Sequence, residues 1–222
     1  MSPAKKVVGS PQKTLRERGV ETPVKKLGAR DRNRASLIRA AQRCLVEVGP
    51  NVTIEYFADR AEVSPATIYK HFHHKDELFA EALRALCDEW LTWAFEIIRK
   101  ETSDPLCELV LPVKLMATIG TTHPDLAAAL VNGGNSSALI LEALIRSAES
   151  SYMALVKGGL LPDDNPEVRF LLFSNAGLGI LMALLRGDFI PKNPIEEDAA
   201  MLFEILGLSK AKTKRIYASL SI

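Results

Sequence analysis

Cysteine is scarce in this chain, with three residues among 222. Cys44, Cys87 and Cys107 form no CxxC pair, and an odd number of thiols argues against a disulfide framework. Each cysteine lies in an apolar helical pattern, which favours a buried free thiol. The chain also lacks an apolar segment near residue 1, so we expect no secretory signal and a cytoplasmic protein.

The residue patterns of most catalytic sites are missing as well. No glycine-rich phosphate loop occurs. No cluster of histidine, cysteine or carboxylate residues has the spacing of a metal site or of a nucleophile with its base. These absences argue against an all-α enzyme, the rival class for such a chain, and we expect no cofactor.

Strand-like alternation of apolar and polar residues is absent, whereas apolar residues recur at spacings of three and four. We therefore predict an all-α fold of about nine helices, with a small N-terminal three-helix unit leading into a larger bundle. Prolines and glycines mark the joints. The helices are predicted near 31–48, 53–61, 64–71, 75–100, 106–119, 125–131, 136–156, 167–186 and 195–208.

Charge is unevenly distributed although the net charge is only +1. Residues 1–30 carry +6, residues 31–80 are neutral and residues 81–222 carry −5. This asymmetry predicts a polyanion partner at one end of the chain. Residues 1–30 show no apolar periodicity, so we expect a disordered basic tail. The tail is either a solubilising arm or an accessory minor-groove contact through Lys25, Lys26 and Arg30.

Two short helical patterns meet at a tight break, Glu62-Val63-Ser64. Thr53 and Ser64 are predicted N-caps, and Pro65 suits the first turn of the second helix. A helix-turn-helix protein presses the N-terminal end of its second helix into the DNA major groove, which requires small or polar residues there. Ser64, Ala66 and Thr67 meet that requirement.

The residues around this end complete the predicted DNA contact. Tyr69, Lys70 and His71 follow one turn along, with side chains long enough to reach phosphates. Lys75 opens the next helix, where free N–H groups favour an anion. Core packing is the alternative for Tyr69.

Residues 31–80 resemble the N-terminal domain of the TetR family of bacterial transcriptional repressors. The matching residues are Leu37-Ile38 with Ala40-Ala41, Gly49, Thr53-Ile54, Phe57-Ala58 and Ala61, Val63-Ser64, Thr67-Ile68-Tyr69, His71-Phe72, Lys75 and Glu77-Leu78. The resemblance implies a two-domain homodimer that binds a palindromic operator and is released by a small effector. It places DNA contacts at Thr53, Ser64, Pro65, Ala66, Thr67, Tyr69, Lys70, His71 and Lys75. Residues 81–222 are then the ligand-binding and dimerisation domain.

One residue departs from the family pattern. Glu62 stands where the family usually has glycine, which tolerates the positive φ of such a turn. We therefore expect modest backbone strain at Glu62 and a carboxylate near the DNA side.

Several histidines and basic residues have competing interpretations. The run of His71, His73 and His74 with Asp76 invites a metal site, but the spacing is poor for one, and solvated side chains are the preferred interpretation. His123 is interpreted as a surface or capping residue rather than a ligand contact. The basic run Lys210–Arg215 is interpreted as a solvated C-terminal end rather than a second DNA site.

The stretch 168–185 is long and apolar enough to raise the question of a membrane span. Polar and small residues interrupt it, so we predict a helix buried between its own core and a partner subunit, with no membrane contact. Together with 195–208 it would form a four-helix dimer interface. Its candidate contacts are Phe170, Phe173, Gly177, Leu181, Leu202, Phe203 and Leu206.

A ligand pocket needs mostly apolar walls with a few polar groups. The candidate lining residues are Trp90, Trp93, Met116, Tyr152, Phe173 and Asn175, for each of which ordinary core packing is the alternative. The sequence thus predicts a ligand-responsive transcriptional regulator, most simply a repressor. A DNA-binding module without an effector, of constitutive or nucleoid type, is the second hypothesis.

Overall fold

The computed structural model describes residues 28–188 and 195–219, without the side chains of some residues in the eighth and tenth helices. The basic tail up to residue 27 therefore lies outside the described residues. Eleven helices and no strand occur in the described ranges. The helices are α1 (Ala29–Glu47), α2 (Ile54–Arg60), α3 (Pro65–Tyr69), α4 (Lys75–Glu101), α5 (Pro105–Met116), α6 (Ile119–Thr122), α7 (Pro124–Asn132), α8 (Asn135–Lys157), α9 (Pro166–Arg186), α10 (Ile195–Ile205) and α11 (Lys210–Ser219).

The all-α prediction is confirmed, with two helices more than the nine expected. A break after Met116 separates α6 from α5. The run Lys210–Arg215 belongs to α11, because Thr213, Ile216 and Tyr217 form a buried face at three-four spacing. Its lysines remain at the surface, where Lys214 lies 2.9 Å from a Glu197 carboxylate oxygen. The charge of this run predicts a solvated C-terminal end, which is wrong for the buried face of α11.

The described chain forms two compact units. The N-terminal unit comprises residues 28–91 and 123–140, and the C-terminal unit comprises residues 92–122, 141–188 and 195–219. This division does not follow the boundary expected near residue 80. The first part of α4, all of α7 and the start of α8 group with α1–α3.

The N-terminal unit is built around a small apolar core. Leu37, Ala41 and Leu45 of α1 are buried, as is Ile68 of α3. The ring of Phe57 on α2 meets that of Phe79 on α4 edge-on at a centroid distance of 5.6 Å. Apolar residues at three-four spacing along α1, α2 and α4 thus form one core, and α3 packs on this core through Ile68.

Polar contacts join α1 to its neighbours. The guanidinium of Arg34 pairs with Glu81 and lies 4.7 Å from the ring centre of Phe72. At the other end of α1, Glu47 pairs with Arg60 of α2. These pairs are partly exposed, so each contributes little by itself, and the buried core holds the unit together.

In the C-terminal unit, α10 packs against α5, α9 and α11, and α11 also packs against α5. Phe203 of α10 and Leu206 just after it are fully buried, as are Val110 and Leu111 of α5. The Arg169 guanidinium of α9 donates to the Ile205 carbonyl oxygen at 2.9 Å and so occupies a free carbonyl at the end of α10.

Candidate DNA-binding interface

The N-terminal end of α3 is formed by local sequence signals. The Ser64 hydroxyl accepts a hydrogen bond from the Thr67 backbone N–H at 3.2 Å, and Pro65 occupies the first turn. The two hydroxyl oxygens of Ser64 and Thr67 lie 2.9 Å apart. Both predicted features of this helix start are confirmed.

The side chains of α3 divide into a buried and an exposed set. Ile68 is completely buried, whereas Ser64, Ala66 and Lys70 are exposed and Pro65 and Thr67 are partly exposed. Tyr69 is 52% exposed, so core packing is not its role. The exposed end of α3 therefore offers hydroxyls, small apolar groups, a phenol and an ammonium on one short surface.

His71 follows α3 and is partly buried. Its Nδ1 atom is buried and has no hydrogen-bond partner among the described residues. A buried polar atom favours a partner. The Nδ1 side of the His71 ring therefore faces the interior of the protein.

Thr53 stands at the start of α2 and is exposed. Its hydroxyl accepts from the Tyr56 N–H at 3.1 Å, which confirms the predicted N-cap. Tyr56, which the sequence interpretation passed over, is 41% exposed while its neighbour Phe57 is buried. Ala58, on the other side of Phe57, is buried, so adjacency to Phe57 does not by itself identify Tyr56 as exposed.

The start of α4 forms a network of short-range contacts. The Glu77 N–H donates to His74 Nδ1 at 3.1 Å, and the Glu77 carboxylate accepts from the His73 N–H at 2.7 Å. This reciprocal arrangement has the form of a capping box. The hydrogen bond from the His73 backbone holds the pKa of Glu77 below its usual value.

The same network accounts for the run of histidines. His73 Nδ1 lies 3.2 Å from the Glu77 carboxylate, and His74 acts as a helix cap. No group of three or more histidine, cysteine or acidic side chains placed to hold a metal occurs in the described ranges.

Lys75 lies at the first position of α4 and is half-buried. Its ammonium donates to the Val52 carbonyl oxygen at 2.7 Å. One of three ammonium protons is thereby committed to the protein, and two remain for a phosphate oxygen. The side chain is positioned by this contact at the edge of the α2–α3 surface.

The turn between α2 and α3 contains the unusual Glu62. Its φ is 55°, in the left-handed region. The Glu62 N–H donates to the Asp59 carbonyl and the Val63 N–H to the Ala58 carbonyl, which is the hydrogen-bond pattern of a Schellman motif. Helices α8, α9 and α10 end with the same pair of bonds, and there the left-handed residue is glycine. The strain predicted from the sequence is therefore present.

Four of the residues predicted to line a ligand pocket are at least partly buried in the C-terminal unit, namely Trp93, Met116, Tyr152 and Phe173. Tyr152 stacks on Phe170 at a centroid distance of 5.5 Å, and Phe170 lies 6.4 Å from Phe173. The Tyr152 hydroxyl is buried without a hydrogen-bond partner among the described residues. Burial raises the pKa of Tyr152. Met116, also of this unit, is partly buried.

The other predicted pocket residues are dispersed. Asn175 is exposed, and its amide donates to the Leu171 carbonyl of the same helix at 2.8 Å. Trp90, in the N-terminal unit, is buried, and its indole N–H has no partner among the described residues. Tyr152 and Phe173 thus both lie next to Phe170, whereas Asn175 lies at the surface.

The predicted interface residues are mostly turned inward. Phe170, Leu181, Leu202, Phe203 and Leu206 are buried within one chain, and Phe173 and Gly177 are partly buried. The exposed face of α9 is instead a stripe of five residues: Val168, Leu171, Leu172, Asn175 and Gly179. Its three large apolar residues are each more than half exposed. By length and composition alone α9 could cross a membrane, and 17% of its apolar window is buried.

Residues 37–82 match the family model described as bacterial regulatory proteins, tetR family. The fold is similar to that of RolR in complex with resorcinol, with a TM-score of 0.61 and 17% identity over 84% of this chain and 93% of that chain. It is also similar to the fatty acid degradation regulator FadR from Bacillus halodurans, with a TM-score of 0.56 and 16% identity over 83% and 96% of the two chains.

A third structure is native NalD, the secondary repressor of the MexAB-OprM multidrug efflux pump in Pseudomonas aeruginosa. The TM-score is 0.55, with 20% identity over 86% of this chain and 98% of that chain. At such identities these likenesses show a shared fold. No curated protein sequence matches the chain.

Proposed function

We propose that this chain is a transcriptional repressor released from its operator by a small-molecule effector, since residues 37–82 match the model of the tetR family of bacterial regulatory proteins. The observation that supports DNA binding most directly is the exposed N-terminal end of α3. Ser64, Ala66, Tyr69 and Lys70 project there, while Ile68 anchors the helix in the core. A recognition helix requires this combination of a fixed backbone and short, exposed side chains.

Each DNA contact has a role set by its chemistry. Ser64 and Thr67 offer hydroxyls to base edges, and Pro65 and Ala66 offer apolar surface to a thymine methyl. Thr53, Tyr69, Lys70, His71 and Lys75 contact the phosphate backbone on either side. Tyr56 joins this second group, because it is exposed next to Thr53.

Two copies of the chain are needed for a palindromic operator. The exposed stripe of α9 supports pairing with a second copy, since large contiguous apolar surface is rare on monomers. Met201 of α10 is 61% exposed and extends the apolar surface available to the partner. In such a homodimer the two α3 helices occupy major grooves about 34–36 Å apart.

The buried Tyr152 hydroxyl supports a small-molecule effector. A buried hydroxyl without a partner is costly, and a ligand oxygen that accepts a hydrogen bond from it would remove that cost. Its raised pKa keeps the phenol protonated as a donor at neutral pH. RolR binds resorcinol, and the Tyr152–Phe170–Phe173 row similarly favours a small, uncharged aromatic compound.

The second hypothesis is a DNA-binding module without an effector. It predicts the same operator contacts but a bound complex that no small molecule dissociates. Both hypotheses place the protein in the cytoplasm with the DNA.

The decisive experiment selects duplexes from a random pool with the purified chain and measures their affinity by mobility shift. We expect an inverted repeat. Thr67→Ala should change the preferred base at one position of each half-site, whereas Thr121→Ala, an exposed threonine of the C-terminal unit, should leave the preference unchanged. Retention of no duplex at low salt would refute the proposal. Small phenols are then added to the protein–DNA complex. Dissociation of the complex supports the repressor, and a complex that none of them dissociates supports the module without an effector.

A further inference from the structure

The C-terminal end of α1 is completed by a side chain distant in sequence. The Asn132 amide nitrogen, at the last residue of α7, donates to the Leu45 carbonyl at 3.1 Å and to the Val46 carbonyl at 3.2 Å. These carbonyls belong to the last turn of α1, where no helical N–H can reach them. Both partners are acceptors, so the amide must present its NH₂ group to them.

The turn after α1 fits closely against the same residue. Gly49 has a φ of +81°, and a Cβ atom placed on it would lie 3.2 Å from the Asn132 carbonyl oxygen and 3.4 Å from its Cβ. A side chain at position 49 would press against the end of α7. Asn132 therefore binds α1 through its amide, and its backbone lies close to the turn that follows α1.

The next residue fixes the α7–α8 turn against α4. A Cβ atom on Gly133 would lie 2.3 Å from the Ser137 hydroxyl oxygen and 3.3 Å from a Leu83 methyl group. A side chain at position 133 would therefore clash first with Ser137 and would also press on Leu83 of α4. Asn132 thus binds α1, which packs against α2 in the N-terminal unit, and Gly133 brings the same turn close to Leu83 of α4.

We propose that Asn132 is the positioning residue through which the α7–α8 turn sets the orientation of the helix-turn-helix. This inference rests on the proposed function. The amide keeps α1 in the DNA-binding arrangement by occupying two otherwise free carbonyls. Helix α8 runs from this turn into the C-terminal unit, so a ligand that shifts α8 draws the amide away from α1. Loss of the hydrogen bonds to the Leu45 and Val46 carbonyls then favours a different orientation of the helix-turn-helix.

Coupling of this kind is reciprocal, so DNA binding must also affect the turn. The test uses a duplex selected by the chain from a random pool and follows hydrogen exchange of the backbone amides of residues 133–137. In the wild-type chain a saturating amount of this duplex should slow their exchange. Unchanged exchange in the wild-type complex would overturn the proposal without any variant.

Asn132→Asp replaces the NH₂ group by a second oxygen of nearly the same size, which cannot donate to the carbonyls. We expect it to weaken duplex affinity about fivefold or more and to abolish the protection of residues 133–137. Asn165→Asp is the matched control, because Asn165 is exposed before α9 and its side chain makes no capping hydrogen bond. It should behave as the wild type.

Thermal unfolding followed by circular dichroism shows whether each variant is folded. If Asn132→Asp does not fold, Asn132→Ala tests the same loss without an added negative charge. A folded variant with wild-type affinity and wild-type protection would overturn the role of Asn132. Failure to select any duplex would refute the proposed function itself, which distinguishes the two failures.

Discussion

The ammonium of Lys75 donates a hydrogen bond to the carbonyl oxygen of Val52, 2.7 Å away. The contact joins the first residue of α4 to the loop that precedes α2, so the side chain has a structural task beside any contact with DNA. A lysine held in this way loses little conformational entropy when it meets a phosphate, since its rotamer is already selected.

Lys75→Met keeps most of the alkyl stem and removes the ammonium. We expect weaker binding of specific and random duplexes alike, and a salt dependence whose slope falls by about one phosphate contact. The lost hydrogen bond should also lower the free energy of unfolding by about 1 kcal/mol. Filter binding at several salt concentrations and urea unfolding measure the two effects. An unchanged salt slope would show that Lys75 does not reach a phosphate.

Glu62→Gly should raise the free energy of unfolding, because the left-handed conformation costs a residue with a side chain about 1–2 kcal/mol. It also removes a carboxylate beside the DNA surface and should tighten duplex binding. Urea unfolding and mobility shift measure these gains separately.

Glu62→Ala distinguishes strain from charge. It retains the strained φ, so it should tighten binding without the gain in stability. Asn165→Gly, at the other left-handed non-glycine residue described, should stabilise the chain less, since asparagine tolerates this conformation better than glutamate. Equal stabilisation by Gly and Ala at position 62 would contradict the strain argument.

A glutamate in the exposed stripe of α9 should separate the proposed dimer. Leu171→Glu and Leu172→Glu place a charge where a partner would otherwise bury an apolar side chain, which is costly for an unpaired carboxylate. Light scattering after size-exclusion chromatography should change from dimer to monomer. Leu160→Glu, at an exposed leucine outside α9, should leave the dimer intact. Monomeric wild-type protein at micromolar concentration would refute the interface.

Burial raises the pKa of Cys87 to about 12, with a smaller contribution from Asp88. In the unfolded chain the thiol ionises near pH 8.5. The folded state then holds a proton that the unfolded state has released, so stability should fall as pH rises from about 8.5 towards 12, by up to about 1.4 kcal/mol per unit. Urea unfolding of Cys87→Ala over this range should show a shallower decline. Identical slopes would mean that the native thiol is accessible to solvent.

Local features of the fold followed from the sequence because their causes are local. Thr53 and Ser64 cap the helices that begin next to them. The conformation of Glu62 was implied by the resemblance to the TetR family, which usually has glycine at this position. The buried thiol of Cys44 also follows from the apolar period of α1. Each of these signals is complete within a few residues.

Features that depend on distant contacts did not follow. The period of α9 shows that it is apolar on more than one side, but no property of the sequence decides whether Phe170 or Leu171 meets the chain's own core. Asn132 lies 86 and 87 residues from the carbonyls that it binds. The burial of Thr213 in α11 likewise depends on packing within the C-terminal unit.

The conformation of Glu62 has a consequence at the level of the gene. Glutamate and glycine codons differ at their second base alone, so one transition converts the strained residue into the relaxed one. Laboratory selection for tighter repression should find this change early. A regulator that keeps the acid at this position would release its operator more readily than the relaxed form does.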